Sequence, residues 1–253
     1  MVIAVLFVIG AILGSFYLVI GTRLPKGEDV LFSRSHCNSC GKELKWYNLI
    51  PIFSYVFQRG KCTFCHQKIS SEHFWVELAT GILFVLTYLY FPLFSYDFWL
   101  GLIISSLLII IFVSDFKYMI ILDSPLIISS IITIALKLYY FDITSVLISI
   151  ISGLALFLTM FLLFQLGKLL FKKEALGGGD IKLAFVIGLI LNYKLGLTAI
   201  VLSSFIALPY ALASLQIKKN NEFPYGPFLA GSLFIVFFHY DKFLLLLDFL
   251  FPF

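Results

Sequence analysis

Long apolar runs constrain this chain more than any other feature. About 20 consecutive apolar residues cross the hydrocarbon of a bilayer, and in that solvent the backbone can form only helices or closed barrels. Such runs recur along the whole sequence, at about 1–22, 73–92, 96–114, 119–138, 144–170, 179–193, 196–216 and 225–250. They do not alternate apolar with polar, as barrel strands do. The pattern therefore predicts an all-α integral membrane protein with about eight transmembrane helices. Composition agrees, with 61% hydrophobic and 13% charged residues against about 25% charged in soluble domains. The sixth run is short. At about 1.5 Å per residue it reaches roughly 21–22 Å across a core of about 30 Å, so its start at Asp180 is expected in a protein-lined recess.

The basic residues give an orientation. Arg23, Lys26, Arg34, Lys42, Lys45, Arg59, Lys61 and Lys68 share the long segment 23–72. Lys117, Lys168, Lys172, Lys173, Lys182, Lys218 and Lys219 fall on the same side, and only Lys137, Lys194 and Lys242 fall opposite. The positive-inside rule then makes the 23–72 side cytosolic and both ends external. The first run is read as a transmembrane helix and not a cleavable signal, because its positive charge follows the apolar stretch. The basic face is suited to anionic lipid; no phosphate-cradling loop and no nucleic-acid motif is present.

All four cysteines lie in that loop, as Cys37-Asn38-Ser39-Cys40 and Cys62-Thr63-Phe64-Cys65. Two C-x-x-C turns at this separation are the pattern of a tetrahedral zinc site. Two intervening residues let a tight turn aim both sulfurs at one ion, and Gly41 and His66 follow where those turns must close. A reducing cytosol disfavours a pair of disulfides. Four thiolates leave no open position, so the expected zinc is structural, with His36 and His66 as bystanders. Between the turns, Trp46 to Tyr55 is too apolar for a solvated connector. It is expected to pack as a short helix on the bilayer face or the spans, either as an interfacial anchor or in contact with substrate.

Few acidic residues reach membrane depth, where a carboxylate is costly unless neutralised, paired or wet and marks a functional site by default. Asp115 ends the third run; it is either a solvated helix end, paired with Lys117, or half of a catalytic pair. Asp180 closes Gly177-Gly178-Gly179-Asp180. Three missing side chains permit close backbone approach to its carboxylate, although a helix cap favoured by the dipole would also place an aspartate there. Asp123 precedes Ser124-Pro125 and reads first as an N-cap. Glu77 reads first as a buried hydrogen-bonding group. Two aspartates at comparable depth suggest an aspartyl protease. One ionised carboxyl activates water, the other donates to the scissile carbonyl, and close like charges share a proton. The four histidines give no serine triad. A proton-coupled transporter would use the same carboxylates as a relay, but no inverted halves are visible. A thiol oxidoreductase built on the cysteines would belong on the oxidising side.

At these residues the chain resembles the type IV prepilin peptidases, a branch of the GxGD membrane aspartyl proteases. The likeness runs through Gly14-Ser15-Phe16, Arg23-Leu24-Pro25, Arg34 to Cys40, Trp46-Tyr47-Asn48, Ile50-Pro51, Arg59-Gly60-Lys61-Cys62, Cys65, Ile69-Ser70 and Glu77-Leu78. It ends in Asp115 and in Gly177 to Leu183, which match the family's two catalytic aspartates. Tyr17 stands where the family more often has Asn, and Leu122 where it often has Pro. The resemblance implies cleavage of the basic leader from type IV pilin-like precursors, in pilus, secretion and competence systems, at the cytosolic face of a bacterial inner membrane. It further implies N-methylation of the new amino terminus with S-adenosylmethionine. The implied organisation is a first transmembrane helix at 1–22, a zinc-binding loop associated with methyl transfer at 23–72, and a membrane-embedded peptidase core at 73–253.

Overall fold

The computed structural model describes residues 1–30, 33–37, 39–171, 177–217 and 223–250. Asn38, Lys172, Lys173, Lys218 and Lys219, which entered the readings above, lie outside the described residues. The chain is all-helical: among the described residues the only extended pairings are the isolated bridges His36–Glu43 and Lys61–Lys68. It divides into two compact units, Met1–Leu93 and Phe94–Phe253.

The first unit is built on α1 (Val2–Arg23) and α3 (Glu72–Tyr90), with the short α2 (Phe53–Phe57) and a 3-10 turn at Trp46–Leu49 in the loop between them. Helices α1 and α3 pack closely because small residues line the contact. A Cβ on Gly10 would lie 2.8 Å from the Thr80 carbonyl oxygen and 2.9 Å from the Gly81 Cα. Membrane helices approach in this way where bulky side chains are absent, since lipid supplies no hydrophobic drive between them. The Trp46 to Tyr55 stretch forms short helical turns, as expected, and Trp46, Leu49, Ile50, Ile52 and Phe53 line an apolar groove with α1 and α3.

The second unit holds α4 (Tyr96–Tyr118), α5 (Asp123–Tyr140), α6 (Ile143–Phe171), α7 (Gly178–Ile217), α8 (Gly226–Phe238) and α9 (Tyr240–Leu250). Ser95 caps α4 by accepting the Phe98 N–H at 3.1 Å, and Met119 in the left-handed region ends it. Asp142 accepts the Ser145 N–H at 3.3 Å at the start of α6. Helix α7 packs on α5, α6 and α8, and α8 also packs on α4. Five helices are long and apolar enough to cross a membrane: 2–26, 72–90, 96–118, 143–170 and 178–214. Of these, α4 and α7 are the most buried inside the protein.

The separate runs 179–193 and 196–216 are borne out: they are two helical stretches of α7 that meet at a break at Asn192, whose φ of 65° and ψ of 177° interrupt the helical ladder. Two expectations are revised. The run 225–250 is divided at His239 into α8 and α9, where the polar residues His239, Asp241 and Lys242 cluster. Asp123 is not the N-cap of α5. That position is Leu122, which makes no side-chain cap, and the Asp123 carboxylate instead takes both hydrogen bonds of Lys182, at 2.7 and 2.8 Å.

Packing of α6 on α7 depends on Gly188, where a Cβ would sit 2.6 Å from the Ser152 carbonyl oxygen and 2.8 Å from the Gly153 Cα. Gly188→Leu should force the two helices apart and destabilise by about 1–3 kcal/mol or more, the cost of overpacking a tight contact. A lowered thermal midpoint in detergent checks this; an unchanged midpoint counts against the packing described.

Candidate active site and metal centre

Asp115 lies in the last turn of α4 and Asp180 in the first turn of α7. Both are buried, at 5% and 6% exposure, and both face the N-terminus of a helix. The Gly226 N–H, opening α8, donates to Asp115 Oδ2 at 3.0 Å. The Gly177 N–H donates to Asp180 Oδ2 at 3.1 Å while the Asp180 N–H donates back to the Gly177 carbonyl at 3.1 Å. The Asp180 side chain reaching back to the Gly177 N–H is one half of a capping box, Gly177 having no side chain to supply the other, so the cap reading of Asp180 is realised together with its burial. The other oxygen, Asp180 Oδ1, is buried with no hydrogen-bond partner among the described residues. Helix N-termini carry partial positive charge and favour an anion.

The two carboxyl groups are close enough to repel each other electrostatically, and one side chain, Ile121, lies against Gly179, which precedes Asp180, and against Gly226, which binds Asp115. A Cβ on Gly179 would fall 2.7 Å from Ile121 Cβ; a Cβ on Gly226 would fall 2.8 Å from Ile121 Cδ1 and 2.9 Å from Asp115 Oδ2. Glycine is required at both positions for this reason, and Ile121 nests against the openings of α7 and α8. Below it, Asp123 and Lys182 tie the first turns of α5 and α7 together. The segment that delivers Gly226 is held by aromatic contacts: Phe116 meets Tyr210 edge-on at 5.9 Å, and Tyr210 meets Phe228 at 5.5 Å. The Tyr225 hydroxyl reaches Ser204 Oγ at 3.2 Å.

The four cysteines of the first unit converge. Their sulfurs all lie within 4.8 Å of one another, and Cys37 Sγ and Cys65 Sγ are 3.8 Å apart. Zn–S bonds of about 2.3 Å in a tetrahedron put sulfurs about 3.8 Å apart, so the donor set fits zinc. The two turns have matching backbones. The Gly41 N–H bonds the Cys37 carbonyl at 2.8 Å and the His66 N–H bonds the Cys62 carbonyl at 3.0 Å. Gly41 and His66 have φ of 69° and 58°. The backbone N–H groups of Cys40 and then Ser39 pull the Cys37 thiol down to about 6. The Gln67 N–H favours the Cys65 thiolate, yet burial and the sulfurs of Cys40, Cys62 and Cys37 push that thiol up to about 11. Crowded sulfurs resist joint ionisation, and a dication removes that conflict.

Residues 8–91 match the bacterial peptidase A24 N-terminal domain, and residues 102–212 match the type IV leader peptidase family. Among curated relatives, the prepilin leader peptidase/N-methyltransferase of Bacillus subtilis is 31% identical over 243 residues, covering 95% of each chain. That of Vibrio cholerae is 31% identical over 257 residues, covering 91% of this chain and 94% of its own. The chain belongs to the type IV leader peptidase family. No solved structure matches it.

For this leader peptidase family member, sequence reasoning missed two contacts. Gly226 gave no signal except Gly-Pro at the head of an apolar run, and its partner is far away in the chain. Glu77 was expected to make a buried hydrogen bond to a neighbouring helix. It makes that bond, accepting from Ser15 of α1, and it accepts in addition from the Ile52 N–H in the loop, at 2.7 Å, which nothing in the sequence marked. Ile52 has φ of 64° and ψ of −55°, a conformation costly for a β-branched residue. The Glu77 bond and the Phe53 N–H to Pro51 carbonyl bond, at 2.6 Å, hold it there.

Metal analysis of protein purified without chelator should give about one zinc per chain. Cys62→Ser should lower that stoichiometry and the thermal midpoint together; protein at full stability with no metal would remove the structural role.

Proposed function

We propose that the chain cleaves the basic leader from type IV prepilin-like precursors through Asp115 and Asp180, and methylates the amino terminus so released. It is a membrane peptidase of the leader peptidase family, and the single observation that supports a two-aspartate mechanism is that two buried aspartates, Asp115 bonded to the opening of α8 and Asp180 in the opening turn of α7, lie close enough to interact electrostatically. One ionised carboxylate takes a proton from water, which attacks the scissile carbonyl carbon. The protonated partner donates to the carbonyl oxygen, and the tetrahedral intermediate collapses with a proton delivered to the leaving amine. The pair holds one proton, so it titrates as a unit. The Gly177 and Gly226 N–H groups hold one oxygen of each carboxyl and leave the other for water and substrate.

On this reading the 23–72 loop is cytosolic, by the distribution of Lys and Arg, in the inner membrane of a bacterium. A basic leader is drawn to acidic groups on that face while the apolar stem of the precursor stays in lipid. The 23–72 loop, with a structural zinc held by Cys37, Cys40, Cys62 and Cys65, serves methyl transfer, and 73–253 forms the peptidase core. S-adenosylmethionine, when bound, supplies an electrophilic methyl group to the new amine. The curated relatives carry both activities in their names, which supports the bifunctional reading.

Asp115→Asn and Asp180→Asn should each lower cleavage of a pilin-like precursor by at least about 10³-fold while the proteins still insert and retain zinc; full processing by either variant would end the two-aspartate mechanism. Cleavage should follow a bell-shaped pH profile, lost at low pH when both carboxyls are protonated and at high pH when both are ionised. A profile flat through both limbs would exclude a shared proton. Gly226→Val should lower kcat more than the Gly188 change does at equal residual stability, because its side chain enters the space of Asp115 Oδ2 and Ile121.

A further inference from the structure

The first unit contains a polar cleft that the peptidase reaction does not use. It measures about 270 Å³, and Ser15, Arg23, Asn48, Gln58, His73 and Glu77 line it, next to Cys37 and Cys62. Two of these groups are buried beyond nine-tenths: Glu77 at 5% exposure and Asn48 at 8%. Asn48 Oδ1 accepts from Gln58 Nε2 at 3.4 Å, but Asn48 Nδ2 has no hydrogen-bond partner among the described residues. Leaving a buried amide donor unused costs about 1–3 kcal/mol, and native proteins rarely leave one so. The loop that carries Asn48 is held over the cleft at the expense of a strained Ile52, whose N–H is fixed by Glu77. Strain of this kind, of order 1–3 kcal/mol, persists where the surrounding structure fixes it and gathers at binding sites.

We infer that this cleft, between α1, α3 and the zinc loop, is the binding site of the methyl donor, with Glu77 and Asn48 as its recognition residues. The inference rests on the methyltransferase reading and gives it a location. The donor S-adenosylmethionine carries a sulfonium cation, an ammonium and a carboxylate on its methionine end. A wall that offers a carboxylate at Glu77, a guanidinium at Arg23 and an unused amide donor at Asn48 matches that charge pattern. The volume is just below that of common small-ligand pockets and suits the charged end of such a molecule. The apolar groove on the other side of the Trp46 to Phe53 loop has no comparable polar groups and is left to lipid.

The test measures binding, not turnover. Labelled S-adenosylmethionine is titrated against the full-length protein in detergent, with zinc content and thermal midpoint recorded for each variant. Asn48→Ala should weaken binding about fivefold, the loss of one net hydrogen bond, and Glu77→Gln at least tenfold, with zinc retained. Independently of any variant, S-adenosylhomocysteine should slow hydrogen exchange of the wild type at 46–58 and 70–80. Wild-type affinity in both variants, or exchange protection confined to other segments, overturns the site while leaving the methyltransferase reading in place. A wild type that binds no donor and transfers no methyl group overturns that reading, and the site falls with it.

Discussion

Everything in the second unit answers to one constraint: two like carboxylates are buried in apolar surroundings close to each other. An ionised group in such a place costs several kcal/mol unless hydrogen-bonded and compensated. Among the described residues the fold compensates with backbone N–H groups. Asp115 faces the opening of α8 through Gly226, and Asp180 faces the opening of α7 through Gly177. A helix N-terminus contributes up to about 2 kcal/mol in partly buried geometry, and a hydrogen bond to a charged group about 1.5–3 kcal/mol. Those contributions sustain one charge at most. A pair that keeps a single proton therefore satisfies both the electrostatics of the site and the chemistry assigned to it. The Asp123–Lys182 pair contributes differently: both side chains are more than half exposed, so its value lies in tying α5 to α7 rather than in stability, which is small for exposed pairs.

Backbone compensation demands room. The N-termini of α7 and α8 can close on one isoleucine only if no side chain stands between, and Gly179 and Gly226 provide that space. Any larger residue at either position meets Ile121. The carboxyl positions are set by the two helices most buried within the protein, α4 and α7. Small motions at the membrane surface are therefore poorly transmitted to the pair, since packed interiors deform little. The site combines a rigid frame with one carboxyl oxygen, Asp180 Oδ1, that has no partner among the described residues.

Much of this was legible in the sequence, for stated physical reasons. The helical class followed from runs too long and too uniform for strands. The cysteine turns followed from two fixed spacings, and Gly41 and His66, which follow them where turns are needed, adopt a left-handed backbone. Asp180 was marked by the glycines before it. What escaped the sequence was non-local. Gly226 binds Asp115 from far along the chain, and nothing in Gly226-Pro227 distinguishes an anion-facing helix start from an ordinary one. Asp123 carried a strong local cap signal, but a lysine from another helix outcompeted it. The break at Asn192 was visible only as the end of a short run, because one residue at positive φ ends a ladder without proline or glycine.

The zinc loop and the polar cleft bear on each other. Segment 24–71 contains little regular structure, one five-residue helix and two 3-10 turns among its described residues, and buries few apolar side chains, Cys62 among them. A segment of that kind cannot offset its conformational entropy by burial alone, and metal binding supplies folding free energy where a core does not. Since Cys37 and Cys62 stand in the wall of the cleft, an ion held between them would also set the distance between the turns that flank it. The strained Ile52 and the buried Asn48 belong to the same loop, between the two cysteine pairs. A metal-closed loop can hold them in costly conformations that an open one would relax, so an ion held by the four cysteines would fix the walls of the cleft.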